Sequence, residues 1–230
     1  PYAVAEYTVA LMLSLNRKIP RASWRTKDGN FSLHGLMGFD MHGKTAGIIG
    51  TGKIAKILIH ILKGFGMNIL AYDLYPDYNF AREEQIVYTS LDELYHSSDI
   101  ISLHCPLTEA TKYLINDYSI SKMKDGVMII NTGRGQLIHT NALIEGLKNK
   151  KIGSAGLDVY EEESEYFYED QSDRIIDDDV LARLLSFNNV IVTSHQAFFT
   201  REAMGNIAMT TLQNIKDFIN HKPLLNEVKR

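Results

Sequence analysis

Thr45-Ala46-Gly47-Ile48-Ile49-Gly50-Thr51-Gly52-Lys53-Ile54-Ala55 is the stretch on which the fold turns. Thr45–Ile49 is short and apolar, the composition of a strand buried on both faces. Gly50-Thr51-Gly52 is a glycine turn. Ile54, Ile57, Leu58, Ile61 and Leu62 then fall at helical spacing as far as Phe65. The first glycine permits a tight turn and the second lets backbone approach a pyrophosphate. The third position, Ala55, stays small so that the helix can pack on the sheet. The helix N-terminus offers free N–H groups and the positive end of its dipole to phosphates. Lys53 and Ile54 open that helix. Asp73 lies 21 residues after Gly52, at the end of a second apolar run, Asn68–Tyr72. An acid there can accept hydrogen bonds from ribose hydroxyls and would repel a 2′-phosphate, so the pattern predicts NAD rather than NADP. The plainer alternative is a tight strand-to-helix turn beside a surface aspartate.

Outward from this unit the same alternation continues. Apolar runs at Ile100–His104, Val127–Asn131, Ser154–Val159 and Val190–Thr193 read as further strands. Leu91–Tyr95 (with Ser90 as N-cap), Ser119–Met123, Thr140–Asn149 and Asp179–Leu185 read as helical segments between them. A helix is expected over residues 3–17, its apolar positions broad enough for deep burial, and a long one over Arg201–Asn220. Residues 18–43 read as irregular and 161–179 as an acidic, solvated loop. Short strands apolar on both faces and separated by helices predict an α/β, Rossmann-type doubly wound parallel sheet. The chain opens directly in a buried helical pattern, which is the expectation for a fragment.

Composition narrows the function. Of 230 residues 45% are hydrophobic and 23% charged, the mixture of a globular domain. Lys and Arg number 24 against 28 Asp and Glu, so a net charge of −4 makes nucleic acid an unexpected partner. The single cysteine, Cys105, excludes an internal disulfide framework and a cysteine-rich metal site; no metal is expected. No apolar run approaches the roughly 18 residues of a membrane span, and no signal peptide is visible, so a cytoplasmic setting is expected.

Two basic groups stand just past strand ends, where ligands bind in open α/β sheets. Arg134, in Asn131-Thr132-Gly133-Arg134-Gly135, can hold a carboxylate through two parallel hydrogen bonds, and the flanking glycines would leave its backbone room near a ligand. His195, in Thr193-Ser194-His195-Gln196-Ala197, can exchange a proton near neutral pH, as hydride transfer between an alcohol and a ketone requires. His104 is ambiguous, and His34, His42, His60, His139 and His221 read as structural. Asp158, Glu161, Glu162 and Glu163 are the acids that could orient His195; spacing does not choose among them.

The glycine turn, N-T-G-R-G, G-L-D-V-Y-E-E-E and S-H-Q-A-F, in this order, resemble the D-isomer-specific 2-hydroxyacid dehydrogenases, closest to the bacterial fermentative D-lactate branch. Asn30-Phe31-Ser32-Leu33, Gly38-Phe39-Asp40 and the run from Phe167 to Val180 support that branch, and the resemblance covers essentially the whole chain. It implies that Arg134 binds the substrate carboxylate and polarises the carbonyl, and that His195 is the acid/base. It also implies that Glu163 pairs with that histidine and steadies its charged form. For the cofactor it implies backbone contacts from Lys53 and Ile54, ribose binding by Asp73, and an adenine wall at Cys105 and Pro106. Thr111 would make a further cofactor contact. Thr132, Gly133 and Arg134 would border the nicotinamide, and Asp158 would hold its carboxamide. Phe198 would be an aromatic wall of the substrate pocket, and Cys105 no nucleophile.

The resemblance also implies NAD-dependent reduction of pyruvate to D-lactate, or of a bulkier 2-keto acid, by a homodimer or higher homo-oligomer. Residues 1–200 would form the NAD-binding domain, with the helix over 3–17 crossing between domains, and 201–230 would return to a substrate domain. The resemblance further implies that most of that domain would lie outside these 230 residues, in about one hundred residues at the front, an ordinary domain's worth. Ala55 replaces the commoner glycine, and His139 stands where relatives usually have an acid, with an expected effect on local capping. An NAD(H)-binding sensor or corepressor-like module, or an inactive remnant of the same fold, is the alternative.

Overall fold

The computed structural model describes residues 1–162, 170, 172–173 and 176–227. They divide into two compact units, Pro1–Ala197 and Phe198–Arg230. The first unit opens with helices α1 (Tyr2–Asn16) and α2 (Ile19–Lys27). The alternating part follows as β1 (Thr45–Ile49), α3 (Lys53–Gly64), β2 (Asn68–Tyr72), α4 (Tyr78–Glu84), β3 (Val87–Tyr88), α5 (Leu91–Ser97), β4 (Ile100–Leu103), α6 (Asp117–Lys122) and β5 (Val127–Asn131). A 3-10 turn (Gly135–Leu137), α7 (Thr140–Lys148), β6 (Ile152–Leu157), α8 (Asp179–Leu185) and β7 (Val190–Val192) complete it. The second unit holds α9 (Arg201–Ile219).

All seven strands lie parallel in one sheet, in the order β3-β2-β1-β4-β5-β6-β7. Successive strand residues point to opposite faces, and both faces are covered. Ile48, Ile100 and Ile130 pack with α1 and α3 through Met12, Leu15, Leu58 and Ile59. Ile49, Ile101 and Ile129 pack with α5, α6, α7 and α8 through Leu94, Ile120, Leu143 and Leu184. The chain leaves β1 over one face to reach β2, and returns over the other to place β4 on β1's far side. That reversal opens a crevice above the carboxyl ends of β1 and β4, where such sheets bind ligands.

Several elements depart from the sequence reading. Residues 18–43 contain α2, which buries none of its side chains and so shows no core-facing pattern; Pro20 sits in its first turn, where the missing N–H costs nothing. A seventh strand, β3, is only two residues long and owes its existence to pairing Val87 with Leu70 and Tyr88 with Ala71. Helix α4 precedes it, capped by the Asp77 side chain accepting from Phe80 N–H at 3.1 Å. Strand β6 begins at Ile152 and ends at Leu157, two residues before the expected span, because Ile152 already pairs with Val127 at the start of β5 and Leu157 with Asn131 at its end. Asp158 therefore lies just past the strand rather than in it. Ser90 caps α5 as expected, accepting from Glu93 N–H at 3.2 Å. In the second unit, α9 carries exposed Ile207, Leu212, Ile215 and Phe218.

Candidate active site

The glycine turn follows β1 directly. Gly50 has φ +89°, and a Cβ there would stand 2.5 Å from the Cys105 backbone nitrogen. Gly52 is different: its φ is −69°, no heavy atom lies within 4 Å of a Cβ built on it, and it caps α3 without a side-chain bond to the first-turn N–H groups. The fold itself requires glycine at 50 but not at 52; the open space at 52 and the helix end beside it fit the pyrophosphate of a dinucleotide. Lys53 and Ile54 open α3 at this point, and Ala55 is fully buried against the sheet. Gly50→Ala is expected to impose backbone strain of about 1–3 kcal/mol before any clash is counted, and to lower the melting temperature sharply. Gly52→Ala is expected to leave melting unchanged and to weaken NADH binding, as a thermal scan paired with nucleotide fluorescence would read.

Asp73, just past β2, is fixed by the same turn. Its Oδ2 accepts from Thr51 N–H at 2.6 Å and from the Thr51 hydroxyl at 2.9 Å, and its Oδ1 accepts from Tyr75 N–H at 2.9 Å. Partial burial alone would raise the carboxyl's pKa; these hydrogen bonds from Tyr75 and Thr51 outweigh it and hold the group below the usual carboxylate range. The carboxylate stays ionised at neutral pH, as ribose binding and repulsion of a 2′-phosphate require.

Across the crevice, burial pushes the Cys105 thiol up to about 11, so the thiolate a nucleophile needs is scarce. Next to it His104 keeps some exposed surface, yet burial pushes its pKa down to about 4, and its Nε2 lies 2.8 Å from Ser102 Oγ. It is an uncharged structural imidazole at neutral pH. Pro106 is exposed at the start of the following loop. The Thr111 hydroxyl closes that loop on itself, donating to the Pro106 carbonyl at 2.7 Å and accepting from Thr108 N–H at 2.8 Å.

Arg134 is exposed at the carboxyl end of β5, on a turn closed by Asn131. The Asn131 side chain is fully buried; its Oδ1 accepts from Gly133 N–H at 3.0 Å and its Nδ2 donates to the Arg134 carbonyl at 2.8 Å. Arg134 Nη1 donates to the Gly133 carbonyl at 2.8 Å. The Thr132 hydroxyl lies 3.0 Å from that of Thr8. Thr8 donates its proton to the Val4 carbonyl, so Thr132 is the donor between them, and α1 is tied to this turn. The space beside Gly135 is taken by protein, since a Cβ there would stand 1.9 Å from the Tyr160 carbonyl. That glycine serves loop packing and not, as the sequence suggested, room for a ligand.

His195 stands just past β7 in the left-handed region, φ +54°, a conformation in which His, Asn and Asp are enriched among non-glycine residues. Asp158 holds its loop. The fully buried carboxylate accepts from the Thr193 hydroxyl at 2.6 Å and Gln196 N–H at 2.9 Å through Oδ1, and from Ala197 N–H at 2.7 Å through Oδ2. The backbone joins the loops as well: Asp158 N–H donates to the Asn131 carbonyl at 2.9 Å, and His195 N–H donates to the Asp158 carbonyl at 2.7 Å. Three adjacent strand ends are thus laced together, with the turn of Arg134 at one side and His195 at the other.

Of the four acids that spacing left open, two have partners elsewhere in the protein. Asp158 grips the loop backbone. Glu161 accepts from the Tyr113 hydroxyl with one oxygen, and from the Thr140 hydroxyl at 2.8 Å and Thr140 N–H at 3.2 Å with the other. It caps α7, whose own N-cap, His139, makes no side-chain cap bond; this answers the departure noted at position 139. Glu163 lies outside the described residues. Phe198 belongs to the second unit, where its ring meets Phe199 edge-on at 6.1 Å. The sequence reading missed Asn131, Thr51 and the grip of Asp158 on residues 193–197. Only Asn131 had a local signal, an asparagine opening a turn, where its side chain can bond backbone two residues on.

Among the described residues, no helix is long and apolar enough to cross a membrane, and no group of three His, Cys, Asp or Glu could hold a metal ion. A profile of "D-isomer specific 2-hydroxyacid dehydrogenase, NAD binding domain" matches residues 9–197. D-lactate dehydrogenase of Escherichia coli strain K12 is 53% identical over 228 residues, 99% of this chain and 69% of that protein. A solved pyruvate reductase of Chlamydomonas reinhardtii superposes with a TM-score of 0.95 at 46% identity, over 98% of this chain and 68% of its own. D-lactate dehydrogenase of Lactobacillus jensenii, solved with NAD+, gives 0.88 at 33%, over 99% and 68%. The chain thus spans about two thirds of the length of the relatives it matches. It belongs to the D-isomer specific 2-hydroxyacid dehydrogenases, a family of NAD-dependent oxidoreductases, and carries their NAD-binding domain.

Proposed function

We propose that the protein reduces pyruvate to D-lactate with NADH, and that bulkier 2-keto acids are poorer substrates. The observation that supports this reading is the lacing of three neighbouring strand ends by Asn131 and Asp158, which holds the turns that carry Arg134 and His195 at the carboxyl end of the sheet. Arg134 binds the substrate carboxylate through its planar fork, which a lysine's point charge does not replace. His195 donates a proton to the carbonyl oxygen as the alcohol forms, and takes it back in the reverse direction. Glu163 orients that imidazole, Asp158 aids the nicotinamide carboxamide, and Phe198 walls the pocket. NADH supplies the hydride when bound. Lys53 and Ile54 backbone and the helix end hold the pyrophosphate, Asp73 the ribose, and Cys105, Pro106 and Thr111 the adenine side. Thr132 and Gly133 border the nicotinamide. Residues 1–200 act as the cofactor domain and the helix from 201 returns to a substrate domain; the working form is a cytoplasmic homodimer or higher homo-oligomer.

The test uses the protein with whatever sequence precedes Pro1 in its reading frame. NADH absorbance is followed with pyruvate, 2-ketoisocaproate and phenylpyruvate, and NAD reduction with each lactate enantiomer. Fast loss of NADH with pyruvate, and oxidation of D-lactate alone, is the expected result. NADH binding without turnover of any keto acid would overturn the proposal in favour of a sensor or remnant. A preference for the larger keto acids would overturn only the choice of pyruvate.

A further inference from the structure

A chain of hydrogen bonds converges on Asp73 from a strand the sequence did not reveal. Tyr88, on the two-residue edge strand β3, donates its hydroxyl to Thr51 Oγ1 at 2.8 Å. Thr51 in turn donates to Asp73 Oδ2 at 2.9 Å. The Tyr88 oxygen itself accepts from Asp77 N–H at 3.2 Å. Each hydroxyl is both donor and acceptor, and with a carboxylate at the end the proton order is fixed: every O–H points toward Asp73. Such a chain polarises cooperatively and strengthens its last bond. Its anchors are rigid. Tyr88 is held by β3's pairing with β2 and meets Tyr78 edge-on at 5.8 Å. Asp77 caps α4 and bonds Lys56 at 2.6 Å. Thr51 is buried between the two glycines of the turn, and with its N–H and hydroxyl both given to Asp73 it couples the carboxylate to the pyrophosphate loop.

The geometry points to Tyr88 as a positioning residue for cofactor choice, acting through Thr51 to aim the Asp73 carboxylate at the adenosine ribose and to exclude a 2′-phosphate. This rests on the role proposed above for Asp73. Removing the Tyr88 hydroxyl takes away the donor that polarises Thr51 Oγ1 and weakens the hold of the Thr51 hydroxyl on Asp73, so the carboxylate, still bound by the Thr51 and Tyr75 N–H groups, is less firmly aimed. The ribose then meets a poorer acceptor, and a 2′-phosphate a less well-placed negative charge.

Dissociation constants of NADH and NADPH, read by nucleotide fluorescence, test this in Tyr88→Phe, Asp73→Asn and the double variant. Tyr88→Phe is expected to narrow the preference for NADH over NADPH about tenfold, within the range of couplings between residues that share a hydrogen-bond network. The double variant is expected to show no narrowing beyond Asp73→Asn alone. Thr51→Val, which keeps the N–H but removes the hydroxyl link, is expected to act in the same direction and covers the case in which Tyr88→Phe folds poorly. A merely structural tyrosine would lower the melting temperature and leave the nucleotide ratio where it was, and that result overturns the inference. An unchanged ratio in Asp73→Asn would overturn the ribose role of Asp73 and the inference with it. A collapsed ratio in Asp73→Asn beside an unchanged one in Tyr88→Phe and Thr51→Val would overturn the inference alone. None of these readings depends on which keto acid is reduced.

Discussion

Asp158→Ala is expected to lower the melting temperature by about 5 °C or more and to cut keto-acid turnover at least about 100-fold. The stability part follows from three donors that lose their acceptor: the Thr193 hydroxyl and the N–H groups of Gln196 and Ala197. Ala197 is buried, and a buried donor left unpaired costs about 1–3 kcal/mol; half-buried Thr193 and exposed Gln196 lose less, because water can replace the carboxylate there, and for a chain of this size about 1 kcal/mol moves the melting point by roughly 2–4 °C. The activity part follows from where those donors sit. All three flank or adjoin His195, and displacement of a reacting group by about 1 Å costs turnover on the order of 100-fold. Asp158→Asn separates the two effects. The amide keeps one oxygen for Oδ1's partners but turns an N–H toward that of Ala197, a donor against a donor. It is expected to melt between the wild type and Asp158→Ala while losing nearly as much turnover. Asp158→Ala that melted within about 2 °C of the wild type and turned over pyruvate normally would remove Asp158 from this role.

The parts of the fold legible in the sequence are those specified locally. The β1 strand, the glycine turn, α3 and Asp73 form one contiguous unit of 29 residues, and each feature carries its own signal of period, turn or spacing. The central strands announce themselves because both their faces are apolar. Strand β3 does not: Val87 is exposed, and two residues carry no period, so only the neighbouring β2 makes them a strand. Helix α2 is short, largely polar and buries nothing, so its composition does not set it apart from a loop. At the site, Arg134 and His195 could be placed because each follows a strand. What holds them could not, since Asp158 grips residues 35 to 39 positions away, and Tyr88 reaches Thr51 across 37. The four neighbouring acids show the limit most directly. Nothing in D-V-Y-E-E-E distinguishes a carboxylate that organises a loop from one that caps a distant helix. Burial sends Asp158 to the first task, and the position of Thr140 sends Glu161 to the second.

The same separation of backbone from chemistry decides how His195 should be tested. At φ +54° His195 lies in a region in which His, Asn and Asp are enriched and alanine is not, so a drop in activity after His195→Ala mixes a disturbed loop with a missing acid. Asparagine tolerates the left-handed region and keeps the backbone N–H that donates to the Asp158 carbonyl at 2.7 Å. It has no proton to exchange near neutral pH. His195→Asn is therefore expected to melt closer to the wild type than His195→Ala does, and to bind NADH with unchanged affinity. Turnover of pyruvate should fall by about 10²–10⁴, the usual share of a general acid–base group. The reverse reaction should fall by the same factor, since the group that protonates the carbonyl oxygen must also deprotonate the alcohol. Melting, nucleotide fluorescence and both directions of turnover, measured on one preparation, decide the matter. If His195→Asn retained turnover while melting normally, the proton would have to come from another group, and the assignment of His195 would fall even with every contact of its loop in place.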